Sequence, residues 1–433
     1  MQLYSTKNRS KFISLKEAVF KGLPEDNGLY MPMSFPKLPN DFIQNLKNHS
    51  FQEIAFEVSK ALIQGYIPDN DLKKIIKNSI TFPAPVVKLD IESYILELFH
   101  GPSLAFKDFG ARFMSQLMSY FNQGNEEELV ILVATSGDTG GAVASGFYKT
   151  EGIKVVILYP SGKVSDLQEK QLTTLGHNIT ALEVNGTFDD CQKLVKKAFL
   201  DPELSHNIRL SSANSINIAR LIPQSFYYFE SYKQVQTGND KIVFSIPSGN
   251  FGNLTAGLFA KKMGLPIHHF IAATNVNDIV PEYLRTRTYT PRPSIQTLSN
   301  AMDVGNPSNF SRILDLDCST GNIFDKNMSG YSFTDSETKE GMKEVYSKYN
   351  YELDPHGAVG YLALKSYQSK NTNTKGVILE TAHPSKFIKD VENILQKNIN
   401  IPERLAVLKA KKKKSIPIET EFNPFKQWLL SNY

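Results

Sequence analysis

From Tyr94 onward the sequence is a succession of short, nearly uninterrupted apolar stretches, each followed by an amphipathic one. Residues 95–99, 129–135, 153–159, 178–184, 241–247, 270–274 and 376–381 read as strands. Residues 139–149, 166–175, 189–200 and 254–263, and the stretch after Pro384, read as helices. Strands that are apolar along their whole length are covered on both faces, as when helices cross over a parallel sheet. The alternation therefore predicts an α/β fold with mostly parallel sheets.

The preceding stretch has a different period. Phe51, Ile54, Ala55, Val58, Ala61 and Leu62 share one face of a helix, and Gly65 and Pro68 end it. A second helix fits residues 71–78, and Pro83 and Pro85 mark a boundary. The reading is a mainly helical N-terminal domain over 1–93 and an α/β core over 94–433. Composition excludes several classes of function. With 48 basic and 44 acidic side chains there is no large positive excess to neutralise a nucleic acid. Two cysteines, Cys191 and Cys318, make neither a disulfide scaffold nor a Cys-rich metal site. His177, His268, His269 and His356 form no metal-ligand spacing with carboxylates, so no metal is expected. No apolar run reaches the ~20 residues of a membrane span. The polar start, MQLYSTKNRS, is unlike a signal peptide, and a cytoplasmic location is expected. The basic run 409–414 reads as a solvated surface segment.

Five short segments carry chemistry. Two glycine-rich turns, Ser136-Gly137-Asp138-Thr139-Gly140-Gly141 and Ser248-Gly249-Asn250-Phe251-Gly252-Asn253, sit where a strand ends and a helix begins. Free N–H groups and the positive helix end favour an anion there. A tight βα connection would read the same way, but two such turns in one chain suggest two anionic groups or one ligand held from two sides. Neither turn matches a P-loop or a dinucleotide fingerprint. Lys107 follows an apolar strand and lies between Phe106 and Phe109. Burial would disfavour its ammonium form and leave an amine able to attack a carbonyl; a lysine whose stem merely covers apolar surface is the alternative. A desolvated lysine together with a phosphate-cradling loop is what pyridoxal phosphate needs. Ser215 is placed to cap a helix carrying Asn217 and Arg220, and arginine pairs well with phosphate. Thr381 ends the late strand with a hydroxyl suited to a ring nitrogen or to its own backbone. His383 beside it has no assigned role.

These segments, read together and in order, resemble the threonine synthase family, in its bacterial and fungal branch with a long N-terminal domain. HGPSLAFKDFGARFM, ATSGDTGGAVA, SANSINIAR, IPSGNFGNLTAG, ATNVND, TLSNAMDVGNPSN and TAHPSKF carry the resemblance from end to end. It implies a two-lobed fold type II pyridoxal-phosphate core, with a large lobe over 94–110 and 237–433 and a small lobe over about 111–236. It implies that Lys107 carries pyridoxal 5'-phosphate covalently and that Gly249, Asn250, Phe251 and Asn253 hold the cofactor phosphate, mainly through backbone N–H groups. Thr381 would face the pyridine nitrogen. Ser136, Gly137, Asp138 and Thr139 would receive the substrate carboxylate, and Ser215 and Arg220, with Asn253 beside them, the substrate phosphate. The implied substrate is O-phospho-L-homoserine, converted with water to L-threonine and phosphate, with no nucleic acid or membrane as partner. A serine or threonine dehydratase of the same fold needs no second phosphate site, so Ser215 with Arg220 separates the two. A catalytically dead ligand-binding relative would have no use for Lys107.

Overall fold

The computed structural model of the chain describes residues 1–320 and 323–433, and its strands form three sheets. The first is small and antiparallel: β1 (Gln2–Ser5) lies between β2 (Asn8–Ser14) and β3 (Tyr30–Pro32). The expected helices follow as Phe51–Ile63 and Asp69–Ser79. Ser50 and Glu53 form a reciprocal cap at the start of the first, which buries Ile54, Ala55, Val58, Leu62 and Ile63 on one face. Helix still dominates this part of the chain. The small sheet is an addition to the expectation, and helical periodicity missed it because β2 reads NRSKFIS, largely exposed and polar.

The core strands are β4 (Val86–Lys88), β5 (Ser93–Glu97), β6 (Leu129–Ala134), β7 (Ile153–Pro160), β8 (Ile179–Val184) and β9 (Arg209–Ser212). They continue with β10 (Lys241–Pro247), β11 (His269–Thr274), β12 (Met328–Ser332), β13 (Thr374–Glu380) and β14 (Ile416–Ile418). The larger sheet has the order β12-β11-β10-β13-β5-β4 and is parallel except for β4, which runs antiparallel to β5. The smaller sheet, β14-β8-β7-β6-β9, is parallel throughout. The α/β architecture and the parallel sheets are as the alternation predicts.

The C-terminal stretch departs from the expected lobe division. β14 pairs with β8, Ile416 opposite Leu182, and the helix Phe422–Asn432 packs on the smaller sheet through Phe425 and Leu429. Residues 237–433 therefore do not all belong to the larger lobe. The tail returns to the smaller one through a strand of three residues, too short to show a period. Lys413 on this return path pairs with Glu169 and Glu183, so the basic run is not wholly solvated.

Alternation along β6 places the smaller sheet between two layers. Leu129, Ile131 and Val133 face the main core with Phe113, Met114 and Leu117 of the helix Lys107–Asn122. Val130, Leu132 and Ala134 face Leu194 and Val195 of the helix Phe188–Leu200, and the tail helix. The carboxyl ends of β6, β10 and β13 open onto one place, where ligands bind in open parallel sheets. Among the described residues no helix is long and apolar enough to cross a membrane, and no cluster of His, Cys, Asp and Glu is arranged to hold a metal.

Candidate active site

A cavity of about 100 Å³ lies at that convergence. Lys107, Ser136, Thr139, Ser215, Arg220, Gly249, Asn250, Phe251, Asn253 and Thr381 all line it. A larger cleft of about 810 Å³ adjoins it and shares Ala134, Phe188, Asn214, Ser215, Asn250, Asp303 and Val304 with its wall.

Lys107 is the first residue of its helix and half-buried. Its Nζ stands 5.8 Å from the Phe106 ring centroid, and among the described residues no hydrogen bond or ion pair engages it. Burial pushes its pKa down to about 8, with Lys386 and Arg220 adding to the fall and Asp138 opposing it. At this pKa roughly a fifth of the amine is neutral near physiological pH, far more than for an ordinary lysine.

The turn after β10 is held by its own side chains. Asn253 Oδ1 accepts from Ser248 Oγ at 2.9 Å and from the Leu254 N–H at 3.0 Å, while its Nδ2 donates to the Pro247 carbonyl at 2.8 Å. Asn250 Oδ1 accepts from the Ser308 N–H at 2.9 Å. Phe251 takes a left-handed conformation, φ 59°, before the helix Gly252–Lys262 begins. Among the described residues, nothing in the protein accepts from the N–H groups of Gly249, Asn250, Phe251, Gly252 and Asn253. Five unengaged donors at a helix start form an anion cradle. The side chain of Asn253 shapes that cradle: its Oδ1 is engaged within the turn and one of its two amide hydrogens goes to Pro247.

The turn after β6 divides. Ser136 and Thr139 face the cavity, whereas Gly137 and Asp138 lie behind it. Thr135 Oγ1 accepts from the N–H groups of Gly137 and Gly140 and fixes the turn. Asp138 instead pairs with Lys386 at 2.7 Å and accepts from Gln168 Nε2 at 2.8 Å. Burial alone would raise its pKa, but Lys386 and Lys107 hold it well below the usual carboxylate range. The Asp138 side chain is thus a buried counter-charge.

Arg220 is buried and carries no counter-ion among the described residues. Its Nη1 donates to the Ala213 carbonyl at 2.6 Å, and its Nε finds no acceptor. Gly110 makes room for it: a methyl there would sit 2.7 Å from that Nε. Burial brings even this guanidinium down, to about 10. The cap of its short helix is Asn217, whose Oδ1 accepts from the Ala219 N–H at 3.1 Å, and not Ser215 as expected. Ser215 Oγ faces Asn309 Nδ2 at 3.3 Å. Beneath it Arg312, fully buried, donates to the carbonyls of Tyr30, Ser215 and Ile216 and to Asn309 Oδ1. Thr381 receives the Phe106 N–H at its carbonyl, leaving its hydroxyl for the cavity. His383 caps the turn Pro384–Phe387 through Nδ1, a structural role.

Sequence reasoning missed three participants. Lys386 stood inside a quoted motif, but its partner Asp138 is distant in the chain. The segment Asn300–Val304 forms one wall, and His356 another. The 300–304 segment, like Lys386, lies inside a quoted motif but its role comes from partners distant in the chain, and His356 has no local signature.

The net result is a small buried cavity with two unpaired cations, five free N–H groups and several hydroxyls. It is built for a ligand with more than one anionic group. The chain matches the family description "Pyridoxal-phosphate dependent enzyme" over residues 79–380. It also matches "Threonine synthase N terminus" over 2–80 and "Threonine synthase, C-terminal" over 357–428. It is 48% identical to the threonine synthase of Haemophilus influenzae over 406 residues, covering 94% of each chain. The crystal structure of Escherichia coli threonine synthase superposes with a TM-score of 0.94 at 41% identity, covering all of both chains. A pyridoxal-phosphate-bound threonine synthase from Brucella melitensis gives 0.92 at 34% identity, covering 100% of this chain and 99% of that one. Sequence, fold and the chemistry of the cavity meet in one assignment: this chain belongs to the threonine synthase family of pyridoxal-phosphate-dependent enzymes.

Proposed function

We propose that this chain converts O-phospho-L-homoserine and water into L-threonine and phosphate, with pyridoxal phosphate held in the cavity at Lys107. The observation that carries the substrate assignment is Arg220: a buried guanidinium without a counter-ion among the described residues, lining the same cavity as the Gly249–Asn253 cradle. An enzyme acting on plain serine or threonine has no phosphate to neutralise it.

The residues fit the cofactor. The unengaged N–H groups from Gly249 to Asn253 would take its phosphate, Lys107 its aldehyde carbon, and the Thr381 hydroxyl its ring nitrogen. A neutral hydroxyl there does not force a proton onto the ring, as a carboxylate would. Bound in this way, pyridoxal phosphate supplies an electron sink for the charge left when the substrate loses its Cα proton. Ser136 and Thr139 orient the substrate carboxylate from the start of the helix Asp138–Phe147. Arg220 and Ser215 hold the substrate phosphate and stabilise the charge that grows on it as its bond to Cγ breaks. Lys107, with its amine near neutrality, takes the Cα proton. The small cavity limits entry of stray water before the step that needs one.

The test is an assay of purified protein with added pyridoxal phosphate and O-phospho-L-homoserine. Equimolar phosphate and L-threonine are expected, both abolished by Lys107→Ala. Phosphate without threonine would refute the water-addition half. Neither product, with turnover of serine or threonine instead, would replace the proposal with a dehydratase.

A further inference from the structure

His356 belongs to no motif discussed above, yet it lies on the cavity wall and is 2% exposed. It sits in the first turn of the helix Pro355–Gln368. Its Nδ1 is 2.5 Å from Asp354 Oδ2. Its Nε2 accepts the Ala301 N–H at 3.2 Å. A backbone N–H only donates, so Nε2 carries no proton and the ring proton is on Nδ1, shared with Asp354. Asp354 is fully buried, and its other oxygen accepts the Gly357 N–H at 2.7 Å, capping the helix. Glu380 Oε1 accepts the Asp354 N–H at 2.8 Å, and the residue after Glu380 is Thr381.

Ala301 belongs to the turn Asn300–Met302, where a first-turn N–H has no partner of its own. His356 supplies one. The same residue's carbonyl presses on the cofactor cradle: a methyl at Gly249 would sit 2.6 Å from Ala301 O and 2.9 Å from Met302 Cα. The turn is therefore clamped between His356 on one side and Gly249 on the other.

We propose that His356 is a positioning residue for the cofactor site. Asp354 fixes its tautomer, and Nε2 holds the 300–304 wall against the Gly249 turn, so that the phosphate cradle keeps its shape. The inference rests on the assignment of this cavity to pyridoxal phosphate.

The tautomer gives the test. Asp354→Asn keeps an oxygen for the Gly357 N–H and remains a good cap. Its amide, however, donates toward Nδ1 and moves the ring proton to Nε2, where it opposes the Ala301 N–H. A glutamine at 356 offers an oxygen near the position of Nε2 and needs no tautomer. Dissociation constants for pyridoxal phosphate would be measured by absorbance titration of apo-protein, with hydrogen exchange at the Ala301 amide as a second readout. Expected are a cofactor affinity on the order of tenfold to a hundredfold weaker for D354N, faster exchange at Ala301, and restoration of both in D354N/H356Q. Far-UV dichroism serves as the folding control. Wild-type affinity and protection in D354N would overturn the proposal, as would a double variant no better than D354N. A wild-type protein that takes up no pyridoxal phosphate would overturn the cofactor assignment instead.

Discussion

The Asp138–Lys386 pair is the most exacting place to test the electrostatic account of this site. Asp138 follows β6 in the smaller lobe, and Lys386 follows β13 in the larger. Their charged atoms are 2.7 Å apart, with the side chains 5% and 1% exposed. At an effective dielectric constant of ~20 the attraction is about 6 kcal/mol. Desolvation of each ion costs several kcal/mol and offsets most of it. The pair is thus nearly neutral for stability while intact, and each ion is expensive alone. Asp138→Asn and Lys386→Met should each destabilise by roughly 3–5 kcal/mol, and the double variant by no more than the milder single one. Urea unfolding followed through Trp428 reads the right lobe, since the chain's single tryptophan lies on the tail helix over the smaller sheet. The sign with pH is fixed. Asp138 is held below its ordinary value, so its contribution is complete above about pH 4 and fades below, and the deficit of Asp138→Asn should shrink in acid. Single variants costing under ~1 kcal/mol, or costs that simply add in the double, would refute the reasoning.

Two further outcomes follow from the cavity. Arg220→Met removes a buried cation without a counter-ion, so the apo-protein should melt at a higher temperature while kcat/KM for the phosphorylated substrate falls on the order of tenfold to a hundredfold; calorimetry and initial rates measure the two sides. Lys107 attacks as the free amine, and its pKa lies near about 8. The rate at which apo-protein combines with pyridoxal phosphate should therefore rise with pH and level off above about 8, as stopped-flow absorbance would record.

What the sequence disclosed depended on where the signal was stored. Strands β6, β7 and β10 are apolar nearly end to end and were readable within a residue or two. β9 reads RLSS, β12 reads MSGYS and β14 reads IPI. These are short edge or near-edge strands with mixed character, and their pairing comes from neighbours far away in the chain. The site followed the same rule. Lys107 and the turn 248–253 are contiguous motifs, so their residue types declared the chemistry. The role of Asp138 depended on Lys386, and that of His356 on Ala301; neither partner is near in sequence. Asn253 was legible as a site residue but not as a brace for its own turn.

The return of the tail to the smaller sheet also orders events in time. The smaller sheet's other strands end at Ser212, yet β14 begins only at Ile416. As the chain is made, β8 waits with one edge unpaired while β10 to β13, the remaining strands of the larger sheet, are synthesised. Over the same interval the face carrying Val130 and Leu132 lacks the cover of Phe425 and Leu429. An uncovered edge and apolar face invite pairing with other chains. The smaller lobe is thus sealed after the larger one has been made, and nascent chains stalled before residue 416 should be the ones that chaperones hold.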